Sequence, residues 1–138
     1  MENTVYKDLI QKALCSREKS YCPYSSFAVG AALLTEEGKI YTGANIESAS
    51  FSPTVCGERV AFFTAVHNGE TRFKAIAVVG GKQGEAVTEF CAPCGVCRQV
   101  MAEFCTNDFE IILFDGKTQK VITLGALLPA SFTKTNMD

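Results

Sequence analysis

Cysteine opens two separate helix-like stretches of this chain, and any fold it adopts has to accommodate both. Cys56-Gly57-Glu58 begins one stretch, running to about His67, and Pro93-Cys94-Gly95-Val96-Cys97 begins the other, running to about Cys105. Proline at a helix start costs no hydrogen bond and presets the backbone dihedrals. A Cys-x-x-Cys on a first turn points two sulfurs at one site, and the helix dipole there favours the thiolate, the species that binds metal. Two helices delivering three thiolates to one point make a site suited to Zn²⁺, with a fourth position open for water. Three protein ligands plus water is the catalytic arrangement; four protein ligands make a structural one.

The remainder alternates helical and strand-like stretches, with no repeat, low-complexity segment or linker. Val5, Leu9 and Ala13, with Ile10 and Leu14, form one helical face, capped by Asn3 or Thr4. Cys22 to Ser26 reads as a loop. Residues 27–34 read as a buried strand in which Gly30, Ala31 and Ala32 are small enough for something to pack close. Glu36-Glu37-Gly38-Lys39 turns into a second strand, 40–45, where Gly43 marks a bulge or the approach of a ligand. A loop over 46–55 leads to the first cysteine-led helix, ended by Asn68-Gly69. Residues 75–79 form a short central strand and 80–93 a loop; after the second such helix come strands 109–114 and 121–124, joined at Asp115-Gly116-Lys117. The order is αββαβαββ. Its βαβ steps imply parallel neighbouring strands, right-handed crossovers and helices covering the sheet. The expected architecture is one three-layer α/β/α domain over 1–138, with a mixed sheet of about five strands.

With 138 residues, the chain buries about two-thirds of its surface without needing disulfide staples. Its net charge is −2 and it has no basic run, which argues against a polynucleotide groove and for a free base, nucleoside or nucleotide as any nucleic-acid substrate. No apolar run approaches the roughly 20 residues of a membrane span, and the first eight residues lack the apolar stretch of a signal peptide. Seven cysteines, an odd number, do not suit a secreted disulfide framework, so metal or thiol chemistry in a soluble cytoplasmic protein is the expectation.

Glu58 decides what kind of metal site this is. A carboxylate two residues after a ligand can face the open position without coordinating, taking a proton from a water whose pKa zinc lowers to about 7. Three thiolates leave a zinc site negative, so the guanidinium of Arg59 beside the sulfurs would keep the metal electrophilic.

Ligand-x-Glu followed by Pro-Cys-x-x-Cys resembles the signature of the zinc nucleobase deaminases. Cysteine in the first position is similar to the cytidine deaminases that act on free nucleosides. Further similar stretches are Tyr24-Ser25-Ser26-Phe27-Ala28-Val29-Gly30-Ala31-Ala32-Leu33, Thr42-Gly43-Ala44-Asn45-Ile46-Glu47-Ser48-Ala49-Ser50 and Cys97-Arg98-Gln99-Val100. The resemblance implies one Zn²⁺ per subunit on Cys56, Cys94 and Cys97, with Glu58 as proton shuttle. It further implies Phe27 stacking on the base, Asn45 and Glu47 on the ribose hydroxyls, the Gly57 N–H on the base carbonyl and the Ala92 carbonyl on the amino group. Phe132 would close the pocket of a neighbouring subunit in a homotetramer. The implied reaction is deamination of cytidine and 2'-deoxycytidine in pyrimidine salvage, with no nucleic-acid polymer or membrane as partner. Two positions depart from the family: Gly57, where alanine is usual, and Cys91, where another apolar residue is common.

Other readings stay open at this level. Cys91-x-x-Cys94-x-x-Cys97 with Cys56 resembles an iron–sulfur run or a closed, non-catalytic zinc site. A dithiol oxidoreductase leaves Cys56-Gly57-Glu58 unexplained, and a deaminase for a blasticidin-type antibiotic would share the fold. Phe27 and Phe132 can be read as packing residues, Asn45 and Glu47 as a solvated turn, and Arg59 as an ordinary helix residue. Arg98 is a charge contact to the metal site or an interface residue; His67 is a helix C-terminal complement; Cys15, Cys22 and Cys105 are small core or surface residues.

Overall fold

The computed structural model describes residues 3–138. Helix α1 (Asn3–Arg17) is followed by strands β1 (Phe27–Thr35) and β2 (Ile40–Ala44), helix α2 (Gly57–His67), strand β3 (Phe73–Lys82), helix α3 (Gly95–Phe104), strands β4 (Glu110–Phe114) and β5 (Gln119–Thr123), and a short α4 (Leu124–Leu127). A 3₁₀ turn, Lys134–Met137, ends the chain. Asn3 and Thr4 lie inside α1, so its cap position falls outside the described residues. The Asn3 side chain instead accepts from Gln119 Nε2 at 2.7 Å.

The five strands form one mixed sheet in the order β2-β1-β3-β4-β5. β1 is antiparallel to both β2 and β3, β3 and β4 are parallel, and β5 returns antiparallel to β4. The expectation of parallel neighbours at each βαβ step therefore holds for β3–α3–β4 and fails for β2–α2–β3, whose crossover passes over β1. The β1–β2 hairpin turns back on one side of β1, leaving its other edge for β3. β3 is also longer than its apolar run suggests. Gly80 and Gly81 belong to it, paired with Val29 and Ala28, because small residues suit a ladder that other groups approach closely.

Side chains on β3 alternate between two apolar layers. Ile76 and Val78 face α2 and α3, packing with Phe62, Met101, Leu33 and Ile111. Ala75, Ala77 and Val79 face α1, packing with Leu9, Ile10, Ala13 and Ile112. Two glycines on β1 and β2 admit the helices. A side chain on Gly30 would begin 2.0 Å from the Ala13 carbonyl oxygen of α1, and one on Gly43 would begin 2.5 Å from Gly57 O and Ala61 N of α2. Gly43 thus marks the seat of α2, neither a bulge nor a ligand approach, and its pairing with Ala31 is regular.

This topology places the site. β2 and β3 run in the same direction, each antiparallel to β1, so the helices that follow them both start at one end of the sheet. That end lies beyond the carboxyl ends of the parallel strands, the usual location of ligand crevices in α/β sheets.

Candidate functional site

Cys56 and Cys94 occupy the same position on their helices. Each is the residue before the first turn, with extended backbone, φ −73° and ψ 154° for Cys56 and φ −69° and ψ 167° for Cys94. Cys97, one turn into α3, is buried beneath them. The Cys56 and Cys94 sulfurs stand 3.7 Å apart and those of Cys94 and Cys97 3.4 Å apart, with all three within 4.8 Å of one another. Thiolates about 2.3 Å from a tetrahedral zinc stand about 3.8 Å from each other, so the spacing fits that ion.

Arg59, one turn along α2, donates from Nη2 to the Cys56 sulfur at 3.5 Å. Interaction with Cys97 holds the Cys56 thiol below its ordinary value against the cost of burial, and Arg59 and Cys94 add to this. The guanidinium therefore lies against the Cys56 sulfur and is not an ordinary exposed helix residue.

Glu58 is 3 % exposed, and its Oε1 has no hydrogen-bond partner. Burial pushes its carboxyl up to about 7. A buried carboxyl with one oxygen unpartnered at a helix start is costly unless it has a task there, and this value lets it both take and give a proton near neutrality.

Cys91 stands apart from the thiol cluster, its sulfur packed where a side chain on Gly80 would begin, 2.6 Å away. Among the described residues, Cys56, Cys94 and Cys97 alone form a group of metal-ligating side chains, so neither four-cysteine reading is assembled. His67 is exposed at the far end of α2. Cys22 is buried, Cys15 exposed and Cys105 half-buried, its thiol pushed up to about 12 by burial.

A cleft of about 620 Å³ is lined by Ser25, Phe27, Gly80, Lys82, Glu85 and Cys91 among others; of the expected site residues only Phe27 lines it, and Cys56, Glu58, Cys94 and Cys97 do not. Phe27, the first residue of β1, has its ring near Gly80. Its presentation is fixed on several sides. Phe27 N donates to Ser25 Oγ at 3.0 Å, and Phe27 O accepts from Asn45 Nδ2 at 2.8 Å. Asn45 Oδ1 also accepts from Val29 N at 2.9 Å and from Ser20 Oγ at 2.5 Å. Glu47 accepts from the Tyr24 and Ser25 amides at 3.0 and 3.1 Å and from the Ser25 hydroxyl, and that hydroxyl is the first cause of its lowered pKa. Asn45 and Glu47 are thus no solvated turn: both hold the segment that carries Phe27.

Gly57 begins α2 on the backbone of β1 and β2, where an added side chain would meet Val29 O at 3.1 Å. Ala92 is exposed between Cys91 and the fully buried Pro93. Phe132 is exposed, does not line the cleft, and its carbonyl accepts from Gln99 Nε2 at 2.7 Å, laying the tail on α3. Arg98 donates to Pro93 O and to Leu127 O, both at 2.7 Å, so it braces the cysteine loop against α4 and does not touch the sulfurs. Sequence reasoning missed Arg17 and Ser25. The signal for Arg17 was its place in the apolar row Leu9, Ala13, Arg17 at helical spacing, on the buried side of α1.

Residues 3–113 match the family model described as the cytidine and deoxycytidylate deaminase zinc-binding region. A cytidine deaminase of Sporosarcina psychrophila is 46% identical over 130 residues, covering 94% of this chain and 92% of that protein. The crystal structure of a cytidine deaminase from Burkholderia pseudomallei superposes with a TM-score of 0.83 at 42% identity, over 96% of this chain and 100% of the other. A blasticidin-S deaminase of Bacillus cereus is 33% identical over 109 residues, covering 77% of each chain.

Proposed function

The chain belongs to the cytidine and deoxycytidylate deaminase family, and we propose that it hydrolyses cytidine and 2'-deoxycytidine to uridine and 2'-deoxyuridine, releasing ammonia. The observation that carries this reading is the unpartnered, buried Glu58 carboxyl oxygen beside three sulfurs at zinc spacing. Cys56, Cys94 and Cys97 hold one Zn²⁺ per subunit, and the ion supplies a water acidic enough to act as nucleophile at neutral pH.

Glu58 takes a proton from the attacking water and delivers it to ring N3, which makes C4 electrophilic. After the water oxygen bonds to C4, Glu58 carries that oxygen's remaining proton to the amino group, and ammonia leaves as the C4 carbonyl forms. Acid–base help of this kind is worth about 10²–10⁴-fold. Phe27 stacks on the pyrimidine, the Gly57 N–H binds the base carbonyl, and the Ala92 carbonyl accepts from the amino group and orients it. Arg59 offsets the charge of the thiolates. Asn45 and Glu47 receive the ribose: a carboxylate has about four acceptor positions, so Glu47 keeps room for a sugar hydroxyl beside its bonds to residues 24 and 25. Its charge repels a phosphate, which favours nucleosides over nucleotides.

Phe132 closes the cleft of a neighbouring subunit in a homotetramer; its exposure, with that of Phe51 and Phe90, supports such an interface. The seven free thiols suit a reducing cytoplasm, and the product suits pyrimidine salvage. The higher identity to a cytidine deaminase than to a blasticidin-S deaminase favours plain nucleosides. The test is ultraviolet detection of uridine from cytidine with the zinc-loaded protein and its Glu58→Gln variant. Conversion lost in the variant supports the reading; no conversion by the folded, zinc-loaded parent refutes it.

A further inference from the structure

We propose that Arg17 is a positioning residue of the base cleft, tying together, from the α1 side of the sheet, the end of β1 and the end of β3 that line it. The proposal rests on the deaminase reading, and in particular on Phe27 as the stacking ring. Arg17 ends α1 and is 7 % exposed. Its Nε donates to Ala28 O at 2.9 Å, Nη2 to Lys82 O at 2.7 Å and Nη1 to Glu85 O at 2.9 Å. Among the described residues no carboxylate lies within ion-pair distance of it. A buried guanidinium held by main-chain carbonyls alone is expensive, and its rigid, planar fork is suited to fixing three acceptors at set angles.

Those acceptors belong to the cleft. Ala28 follows Phe27 along β1, and Phe27, Lys82 and Glu85 all line the cleft. Phe27 and Lys82 are also the terminal pair of the β1–β3 ladder, followed only by Gln83 N donating to Ser26 O at 2.7 Å. A ladder end frays unless something holds it. Alternation along β1 turns Ala28 toward α1 and Phe27 toward the metal side, so a hold on Ala28 O sets the ring without touching substrate or sulfur. Gly81 gives the guanidinium its place, since a side chain there would begin 3.2 Å from Arg17 Nη2, and Gly30 admits the backbone of α1 at the same residue, 2.7 Å from Arg17 N.

The test is a double-mutant cycle of Arg17→Lys and Phe27→Ala, reading kcat and KM for cytidine, the uridine dissociation constant by calorimetry, and zinc content. Lysine keeps the charge but not the fork. In the parent background Arg17→Lys should raise KM and the uridine dissociation constant about tenfold, with zinc retained and kcat changed less than about threefold. In the Phe27→Ala background the same change should add less than about twofold, because the ring it positions is gone. Arg17→Ala, where it folds, should regain part of its KM loss on addition of free guanidinium. Equal losses in both backgrounds, or an unchanged KM with only a lowered Tm, would overturn the proposal. A parent protein that converts no cytidine overturns the deaminase reading with it, whereas a converting parent with additive losses overturns the role of Arg17 alone.

Discussion

Gly43→Ala should damage catalysis from a position that touches no substrate. A side chain there would begin 2.5 Å from Gly57 O and Ala61 N, both backbone atoms of α2, whereas ordinary contact begins at 3.4 Å. Neither atom belongs to a flexible side chain, so the first turn of α2 has to retreat by about 1 Å, and a misplacement of that size can cost about 10²-fold in rate. Cys56 and Glu58 ride on that turn, so the loss should appear in kcat and in zinc affinity together. Overpacking should also lower stability by about 1–3 kcal/mol. The assay is cytidine turnover at saturating substrate, with zinc content by mass spectrometry and thermal unfolding of the same samples. Gly38→Ala is the control. Gly38 has φ +92° and nothing within 4 Å, so alanine there costs about 1–2 kcal/mol of backbone strain and leaves kcat alone. A Gly43→Ala protein with parental kcat and zinc content would refute the claim that the β2–α2 contact sets the position of Glu58.

Glu58→Gln should keep zinc but lower kcat by about 10²–10⁴-fold, and comparable turnover in that variant removes Glu58 from the reaction. Cytidine should be turned over at least about tenfold more efficiently than its 5'-monophosphate, by the charge of Glu47; equal kcat/KM for the two would show that Glu47 does not read the sugar end. Chelation should abolish turnover and lower the Tm, and added zinc should restore both, as measured by activity and calorimetry. Hydrogen bonds from Thr118 and Lys117 hold the Asp115 carboxyl below its ordinary 3.8, so its stabilising effect is full above that value and lost as pH falls through the lower folded one. Asp115→Asn should flatten the stability curve in acid, and denaturant melts that run parallel to the parent's below pH 3.8 would contradict this.

The thiol site was legible because its information is local. Pro93, Cys94 and Cys97 specify a first turn, and Cys56 with Glu58 specifies another; two first turns at one end of a sheet bring the sulfurs together. The apolar run at residues 75–79 likewise marks a strand wherever it sits in the sheet. Strand order was less legible, because nothing in a hairpin such as β1–β2 states which side of β1 the next strand will take. Gly80 and Gly81 read as loop for a related reason: glycine in a strand is explained by what approaches it, here Cys91 on one face and Arg17 on the other. Asn45 and Glu47 were read for their chemistry, while their bonds to Phe27, Val29 and the 24–25 segment depend on contacts between residues far apart along the chain. Arg17 is not legible as a site residue, because an arginine at the end of a helix is ordinarily a solvated charge complementing the dipole.

The place of β1 between β2 and β3 also bears on how the protein is made. The partner of β1 on one edge, β2, follows directly in the chain, but the partner for its other edge lies beyond α2 and is made only with residues 73–82. Until then the nascent chain carries an apolar strand, Phe27–Thr35, with an open edge of the kind that pairs with other chains. The first helical turn of α2 meanwhile has no α3 beside it, so Cys56 waits with a single thiol where three are needed. The three sulfurs can meet only once α3 has been made and has docked beside α2. A chain released after truncation between residues 45 and 73 keeps that edge open and should aggregate.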